Sequence, residues 1–413
     1  LFRSVRARAV VAGPSARDVV AALDRAALPD LRHVVVAGGV ETAAPGVDAE
    51  LEDLMAGDPA DPVDRSDDDL AVLMFTSGTA GSPRAAMLTH GNLRTNLEQI
   101  QGHLGRSQEP DDVVLGILPF FHIFGLNVVL GLTLFTGARV VLVERFDPQS
   151  AIEAVQRHGV TVISGAPPVW TAWANLPDVP ADAFSRVRIA ASGAAPLPAE
   201  VARRMVERFG LQLVEGYGLT EASPVVTTGG GTEAPVGSIG TPLPGVTVRL
   251  VDESGHDVLP GDAGELWVKG PNVFVGYWGE PEATATTLAG GWLHTGDLGV
   301  MDDQGFLYLV DRKKDLIIVS GFNVYPAEVE EALASHPAIE GVAVVGVPHP
   351  YTGEAVKAFV VVRGGASVEE DEVIAWCARR LARYKCPDKI LFVDEIPRGL
   401  AGKILRRHLR EAG

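Results

Sequence analysis

The first two-thirds of the chain alternates short β-rich runs with amphipathic helical runs, and this alternation constrains the fold more than any other feature. Asp147 is a typical helix N-cap, and the helix that it predicts ends just before Gly159. A buried strand over Val160–Ser164 follows. The same order returns with a helix over Pro198–Phe209 and a strand over Leu211–Glu215. Strands and helices that alternate in this way predict an α/β fold of stacked parallel sheets covered by helices.

The pattern changes after about residue 237, where Gly and Pro turns separate short strands up to residue 310. This texture predicts a small antiparallel β subdomain. A compact α+β unit follows, in which Ser367 and Glu370 are spaced as a helix capping box. We therefore predict a large domain over residues 1–310, with the β-rich subdomain at its end, and a small C-terminal domain over residues 311–413.

Composition narrows the classes of function. The 413 residues are 46% hydrophobic and carry a formal net charge of −18. These values indicate a globular protein of more than one domain, and the acidic balance argues against nucleic acid as a partner. Cys377 and Cys386 are not spaced as a metal site. Apolar runs such as Val128–Leu134 are too short to cross a bilayer and no signal peptide opens the chain, so we expect a cytoplasmic protein without a transmembrane segment.

The strongest local signal lies between Leu70 and Arg84, where an apolar strand leads into a loop of glycine and hydroxyl residues that a basic residue closes. Glycines allow backbone N–H groups to approach an anion, and Ser77 and Thr79 add hydroxyl donors. The composition therefore indicates a phosphate-binding loop, although no Gly-Lys-Ser/Thr of the Walker type ends it. Taken alone, the same composition also fits an ordinary turn.

This loop resembles the signature phosphate loop of the adenylate-forming superfamily, and four further segments resemble that family's motifs in the family's order. They are Glu215–Glu221 (EGYGLTE), Trp292–Asp297 (WLHTGD), Asp311–Asn323 (DRKKDLIIVSGFN) and Pro397–Ile404 (PRGLAGKI). The chain is most similar to acyl-CoA synthetases, including fatty-acid–CoA ligases. The resemblance implies ATP-dependent activation of a carboxylic acid to an acyl adenylate and transfer to coenzyme A. Family members carry considerably more sequence ahead of the phosphate loop. The resemblance therefore also implies that the N-terminal part of the family's large domain is missing from this sequence.

The resemblance implies roles for the residues that would carry adenylation. A carboxylate must approach the α-phosphate of ATP, so magnesium and positive side chains have to offset the repulsion between two anions. Lys403 would bridge the carboxylate and the α-phosphate, and Thr220 would contact that phosphate. Glu221 would hold Mg²⁺ with help from Thr76.

The resemblance also implies the nucleotide contacts. Tyr217 would stack on adenine, Asp297 would accept from both ribose hydroxyls, and Arg312 would orient the ribose. The other residues expected to bind ATP or AMP are Ser77, Gly78, Thr79, Gly81, Arg84, Gly193, Ala194, Ala195, Glu215, Gly216 and Gly218.

A mobile C-terminal domain is a further implication of the resemblance. This domain would rotate about a hinge at Lys314 between the two half-reactions, which presents first Lys403 and then the loop around Gly321 to the active site. A glycine suits the second position because a pantetheine arm needs close backbone approach. Lys385 would pair with a coenzyme A phosphate, or is an ordinary surface lysine.

The segment from Pro119 to Leu126 resembles the family's acyl-site helix. It is aromatic and apolar, whereas amino-acid-activating relatives carry an aspartate there, so we expect a fatty or aromatic acid. His122, Phe124 and Trp170 are the expected acyl-pocket residues. For His122 and Trp170 a place in the hydrophobic core is the alternative.

Departures from the family pattern leave other functions open. The phosphate loop ends in Arg84-Ala85 where the family usually has Lys-Gly, and an arginine is not equivalent to a lysine at a phosphate. One alternative is a ligase that loads the acyl group onto a carrier protein. Another is an inert nucleotide-binding fragment. The sequence does not fix the oligomeric state and leaves a homodimer open.

Overall fold

The computed structural model describes residues 1–38, 46–76, 83–103, 107–312, 315–320, 322–398 and 404–411. Contacts group the chain into two compact units. The first comprises Leu1–Gly91 with Val275–Thr284, and the second comprises Asn92–Phe274 with Ala285–Gly413. The segment 275–284 thus groups with the start of the chain, although the sequence places it inside the expected β subdomain. A domain boundary at residues 310 and 311 stays a prediction.

The first unit contains two three-stranded sheets. The strands of one sheet run parallel in the order β1 (Ala9–Ala12), β2 (His33–Val36) and β3 (Ala49–Glu50). Those of the other are antiparallel: β4 (Leu70–Thr76) pairs with β5 (Arg84–Thr89), which also pairs with β15 (Gly276–Tyr277). Two short helices are α1 (Arg17–Ala21) and α2 (Leu51–Met55). The β4–β5 hairpin fixes both ends of the expected phosphate loop, because Thr76 pairs with Arg84 across it.

A seven-stranded sheet forms the centre of the second unit, in the order β12-β11-β10-β9-β8-β6-β7. Its strands are β6 (Val113–Gly116), β7 (Arg139–Leu142), β8 (Val162–Gly165), β9 (Ile189–Ser192), β10 (Val214–Gly218), β11 (Val225–Thr228) and β12 (Thr241–Pro242). Five strands, β7, β6, β8, β9 and β10, are parallel, and β11 and β12 are antiparallel. The carboxyl ends of the parallel strands therefore lie along one edge, which is where open α/β sheets bind ligands.

The chain segments before and between the parallel strands of this sheet form helices. They are α3 (His90–Gly102), a π-helix over Phe124–Gly131, α4 (Leu132–Thr136), α5 (Pro148–His158), α6 (Pro167–Asn175) and α7 (Ala199–Phe209). The side chain of Asp147 accepts the N–H of Ser150 at 2.9 Å, and Gly159 ends α5 with φ of 63°. The cap at Asp147 and the glycine at the end of the helix were predicted and are confirmed. The first N–H groups of a helix have no partner within the helix and need an acceptor, and a left-handed residue at a helix end is most often glycine.

A four-stranded antiparallel sheet and a five-stranded sheet follow. The first contains β13 (Thr247–Val251), β14 (Gly264–Lys269), β16 (Leu293–Met301) and β17 (Leu307–Arg312), with α8 (Pro281–Thr287) before β16. The second contains β18 (Ile317–Val319), β19 (Phe322–Val324), β20 (Ile339–His349), β21 (Gly353–Val362) and β22 (Lys389–Phe392), with α9 (Pro326–Ala334), α10 (Glu370–Ala378) and α11 (Arg406–Glu411). No helix in the described ranges has both the length and the apolar character needed to cross a membrane.

Candidate functional site

The candidate site begins where β9 and β10 end. The loop after β9 carries Gly193 and Ala194, and Ala194 has φ of 72°, a left-handed conformation that is costly for a residue with a side chain. A Cβ on Gly193 would lie 3.2 Å from the ring of Phe124, so glycine lets that ring approach the loop. The backbone N–H of Gly193 donates to Gly165 O at 3.2 Å, which ties the loop to β8.

Glu215, the first residue of the motif on β10, contacts the end of the same loop. Its carboxylate accepts the N–H of Leu197 at 3.2 Å. Burial raises the pKa of Glu215, and hydrogen bonds from the N–H groups of Leu197 and Gly237 offset this only in part. In this structure the carboxylate of Glu215 thus contacts backbone that positions the loop.

Tyr217 and Asp297 meet in the interior of the second unit. The hydroxyl of Tyr217 donates to Oδ2 of Asp297 at 2.6 Å, and the two residues are only 7% and 6% exposed. The backbone N–H of Asp297 donates to Thr295 Oγ1 at 3.1 Å, which fixes the motif residue at its strand. Arg312 lies directly opposite Asp297 in the β16–β17 register. Residues expected at the adenine and at the ribose are therefore neighbours in the fold.

The strand β10 passes directly into the turn that carries Thr220 and Glu221. A Cβ on Gly218 would lie 2.2 Å from Pro224 O, so only glycine allows the strand and the end of the turn to approach so closely. The carbonyl oxygen of Glu221 accepts the N–H of Phe274 at 2.8 Å. Both expected catalytic residues therefore lie on backbone with a fixed conformation.

The candidate acyl segment forms the start of the π-helix. Nδ1 of His122 accepts the N–H of Phe124 at 3.2 Å, so this histidine satisfies the first N–H group of the helix that follows it. Trp170 was expected either at the acyl pocket or in the hydrophobic core, and a role at the acyl pocket stays a prediction. Its side chain is 0% exposed and packs edge-on against Trp173 with ring centroids 5.5 Å apart, in the core beneath the parallel strands. Here Trp170 is a core residue.

In the first unit, Arg84 at the end of the expected phosphate loop already has partners. Its Nε lies 3.0 Å from Oε2 of Glu280, and its guanidinium lies 5.5 Å from the centre of the Tyr277 ring. Thr76 Oγ1 makes a long contact of 3.5 Å with Arg84 O. A phosphate that recruits Arg84 would have to compete with the Glu280 carboxylate.

Lys385 lies in a short 3-10 helix over Arg383–Lys385, and its ammonium is 2.7 Å from both carboxylate oxygens of Glu328. The neighbouring Tyr384 packs against Phe322 with ring centroids 4.9 Å apart, and Phe322 is 57% exposed. Lys385 is thus paired within the C-terminal region, and a role at coenzyme A stays a prediction.

Comparison with known proteins now decides the family. The sequence profile described as "AMP-binding enzyme" matches residues 1–278, and that of "AMP-binding enzyme C-terminal domain" matches residues 328–403. The chain belongs to the AMP-binding enzyme family. The chain is 42% identical over 375 residues to a long-chain-fatty-acid–CoA ligase of Bacillus subtilis, and the match covers 90% of this chain and 66% of that relative. It is 40% identical over 404 residues to a feruloyl-CoA synthase of an Amycolatopsis species, which covers 94% of this chain and 82% of that relative.

Solved structures support the same fold. ATP-bound MatB from Rhodopseudomonas palustris matches with a TM-score of 0.90 at 35% identity, over 100% of this chain and 80% of that one. The apo form of the same relative matches with a TM-score of 0.76 at the same identity and coverage. The expected α/β architecture with a C-terminal domain is confirmed. The chain spans just under two thirds of the length of the bacterial fatty-acid ligases that it matches.

Several expected site residues of this chain lie outside the described residues, and their roles stay predictions. They are Ser77, Gly78, Thr79, Gly81, Lys314, Gly321 and Lys403. Sequence reasoning also missed a set of buried side-chain amides around the Glu221 turn, namely Asn92, Asn96, Asn127 and Asn272. In the sequence, Asn92, Asn96 and Asn127 stand within apolar or helical runs and Asn272 follows a Gly-Pro pair, and neither setting reveals a partner.

Proposed function

We propose that this AMP-binding enzyme activates a carboxylic acid with ATP and transfers the acyl group to coenzyme A, with AMP and pyrophosphate as the other products. The hydrogen bond between Tyr217 and Asp297 carries the proposal, because it joins the expected adenine and ribose residues from positions 80 residues apart. In the same unit Ser192 Oγ is buried beside the Gly193 loop, without a partner among the described residues. An unpaired buried hydroxyl supports a polar ligand group at this place.

The first half-reaction joins two anions. A carboxylate oxygen attacks the α-phosphorus, the acyl adenylate forms, and pyrophosphate leaves. Glu221, on the turn after β10, is the residue that we propose to hold Mg²⁺, and Thr220 beside it would donate to the α-phosphate. The described residues contain no cluster of three or more His, Cys, Asp or Glu side chains that could hold a metal. One carboxylate fits Mg²⁺ that arrives with ATP, because this ion commonly takes one or two carboxylates, waters and substrate phosphates.

When bound, the magnesium ion would neutralise developing charge on the phosphates. The chain's own residues would position the reactants. Asp297, held by Tyr217, would accept from the ribose hydroxyls, and Arg312 opposite it in the strand register would orient the sugar. Lys403 would bridge the carboxylate and the α-phosphate, with Thr76 and Arg84 at the phosphate loop. Each of these assignments is part of the proposal.

In the second half-reaction the thiol of coenzyme A, as its thiolate, would attack the acyl carbonyl, and AMP would leave. We propose that the C-terminal domain rotates about Lys314 for this step and brings Gly321 to the site. This chain matches the ATP-bound structure of MatB with a TM-score of 0.90 and the apo structure with 0.76, so these two structures of one relative differ in arrangement. Lys385 would exchange Glu328 for a coenzyme A phosphate.

The proposed substrate is an acid with an uncharged tail. Phe124 packs against Gly193 at the expected nucleotide loop, and an aromatic face of this kind suits an aliphatic or aryl group. Relatives with both kinds of name, fatty-acid ligases and feruloyl-CoA synthases, match at similar identity. A fatty acid and an aryl acid are therefore both candidates. We also propose that the enzyme acts in the cytoplasm.

Pyrophosphate release tests the proposal. The protein is incubated with MgATP and a panel from acetate to palmitate that includes benzoate and ferulate, with and without coenzyme A. Acid-dependent release that coenzyme A increases supports the synthetase. Release that responds to an acyl-carrier protein but not to coenzyme A favours the carrier-loading ligase, and MgATP binding without release favours an inert nucleotide-binding fragment. Light scattering on the same sample distinguishes a monomer from a homodimer.

A further inference from the structure

The turn over Leu219–Pro224, which carries Thr220 and Glu221, has a hydrogen bond on every backbone carbonyl. Three of these bonds are made within the turn: Ala222 N donates to Leu219 O, Ser223 N to Thr220 O, and Leu219 N to Pro224 O, at 2.9, 3.2 and 3.0 Å. The other three carbonyls accept from outside it. The donors are Phe274 N to Glu221 O at 2.8 Å, Asn272 Nδ2 to Ala222 O at 2.8 Å and Asn127 Nδ2 to Ser223 O at 2.7 Å. Buried carbonyls need such partners, so these donors define the conformation of the turn.

Asn127 is the donor that belongs to the π-helix. It is 4% exposed, and its Nδ2 also donates to Leu93 O at 3.2 Å. A Cβ on Gly131 would lie 2.8 Å from Oδ1 of Asn127, so that glycine makes room for the amide group. Ser223, its acceptor, is completely buried and has φ of 71°, a conformation that persists only where the surroundings enforce it.

The π-helix reaches from the expected acyl pocket to this amide. His122 accepts the N–H of Phe124 at its start, and the ring of Phe124 lies against Gly193. A π turn contains one residue more than an α turn, and each residue of an α-helix turns the chain by about 100°. A change between the two forms near Phe124 would therefore rotate Asn127 away from Ser223. Such a rotation would break the Asn127–Ser223 bond that the π-helix makes.

We propose that Asn127 is a positioning residue that links the acyl-site helix to the Thr220–Glu221 turn, so that the carboxylic acid and MgATP each raise the affinity of the other. An acid that contacts Phe124 would stabilise the helix form in which Asn127 holds Ser223 O. The turn would then present Thr220 and Glu221 to the nucleotide. Coupling of this kind is reciprocal. The inference rests on the proposed function for its ligands, but the hydrogen-bond link can be tested without them.

Asn127→Asp is the test variant, because it keeps the shape and replaces both N–H donors by an acceptor. Asn127→Ser is the second variant. Its shorter side chain cannot reach the carbonyl oxygens of Leu93 and Ser223, and it adds no charge. Gln108→Glu is the matched control. Gln108 is 5% exposed and donates to Thr136 Oγ1 at 3.0 Å, at the end of α4 that follows the same π-helix, with no bond to the turn.

Two measurements are made on each folded variant. The first is hydrogen exchange of the amides of Leu219, Ala222, Ser223 and Phe274. The second is the affinity for a magnesium complex of α,β-methylene-ATP, by calorimetry, with and without the panel acid that gives the fastest pyrophosphate release. We expect wild type and Gln108→Glu to bind the nucleotide about fivefold more tightly with the acid, which is the scale of one buried hydrogen bond. Both Asn127 variants should lose this difference and exchange the turn amides faster.

The inference is overturned if the Asn127 variants keep both the wild-type exchange pattern and the wild-type coupling. It is also overturned if wild type releases pyrophosphate but binds the nucleotide equally well with and without acid. A wild type that releases no pyrophosphate with any acid refutes the proposed function instead. Exchange of the turn amides still decides in that case whether Asn127 holds the turn.

Discussion

Replacement of Tyr217 by phenylalanine tests the nucleotide site most directly. The ring that is expected against adenine stays, and only the hydroxyl that donates to Asp297 at 2.6 Å is lost. Asp297 is 6% exposed, so water has little access to replace that donor. If Asp297 accepts from the ribose hydroxyls, its carboxylate loses orientation and a stabilising partner at the same time.

The magnitude follows from the charge on Asp297. Loss of a hydrogen bond to a charged group costs about 1.5–3 kcal/mol, and about 1.4 kcal/mol corresponds to a factor of ten. We expect the KM for ATP to rise between about tenfold and a hundredfold, with a smaller change in kcat because the side chains at the α-phosphate are untouched. The preference for ATP over 3′-deoxy-ATP should fall in parallel, since the ribose contact is the one that is weakened.

The assay is pyrophosphate release at a saturating acid concentration, with ATP and 3′-deoxy-ATP as alternative substrates. Tyr308→Phe is the matched control, because Tyr308 also donates to a carboxylate, Oδ2 of Asp302 at 3.0 Å, on the same four-stranded sheet but outside the expected site. This control should behave as wild type. An unchanged KM in Tyr217→Phe, or an equal rise in both variants, would refute the reasoning.

Further predictions concern adenylation, stability and the phosphate loop. Lys403→Ala should slow adenylation by about 10²–10³, the scale of one charge-stabilising donor, and should affect thioester formation from a supplied acyl adenylate much less; equal losses in both half-reactions would contradict its role. Asp112→Asn should lower the free energy of unfolding at pH 7 by about 2 kcal/mol, since the buried Asp112 carboxylate accepts from Nε of Arg188 at 2.8 Å. Burial raises the pKa of Asp112, but hydrogen bonds led by Arg188 outweigh it and hold this pKa below its usual value, so the stabilisation is present above the ordinary carboxyl pKa and is lost as the pH falls through the lowered one. Urea melts of variant and wild type should therefore converge in acid, and a gap independent of pH would argue against this pair. Glu280→Gln should lower the KM for ATP by up to about fivefold, because Arg84 no longer has to leave a partly exposed ion pair, whereas an unchanged KM would mean that Arg84 does not meet the phosphates.

Helix boundaries that depend on neighbouring residues could be predicted from the sequence. Asp147 and Gly159 define α5 because a cap and a left-handed end act within one turn of the helix. The capping box expected at Ser367 and Glu370 is wrong for a reason outside the segment. Glu370 begins α10, and its carboxylate accepts the N–H of Ile390 at 2.8 Å, where it ties the helix to β22. A contact across 20 residues outweighs the local pattern, and the sequence contains no sign of it.

In the candidate site, too, local motifs could be predicted from the sequence and contacts between distant residues could not. The motif around Tyr217 could be predicted because it resembles the family's motif and stands at its place in the family's order of motifs. Its sequence did not reveal that Tyr217 meets Asp297, nor that Trp170 lies in the core, because apolar and aromatic positions on one strand or helix look alike before their neighbours are known.

For the buried asparagines, the sequence contains the least information about contact partners. A side-chain amide in the interior must find acceptors, but backbone carbonyls occur at every residue, so no residue type marks the partner. Asn96 shows the consequence: its amide donates to Val225 O at 2.8 Å and its oxygen accepts Val225 N at 3.1 Å, across 129 residues. Asn127 and Asn272 hold neighbouring carbonyls of the Glu221 turn in the same way. The motif therefore contains the residues proposed for catalysis, and asparagines that no motif contains hold the backbone that carries them.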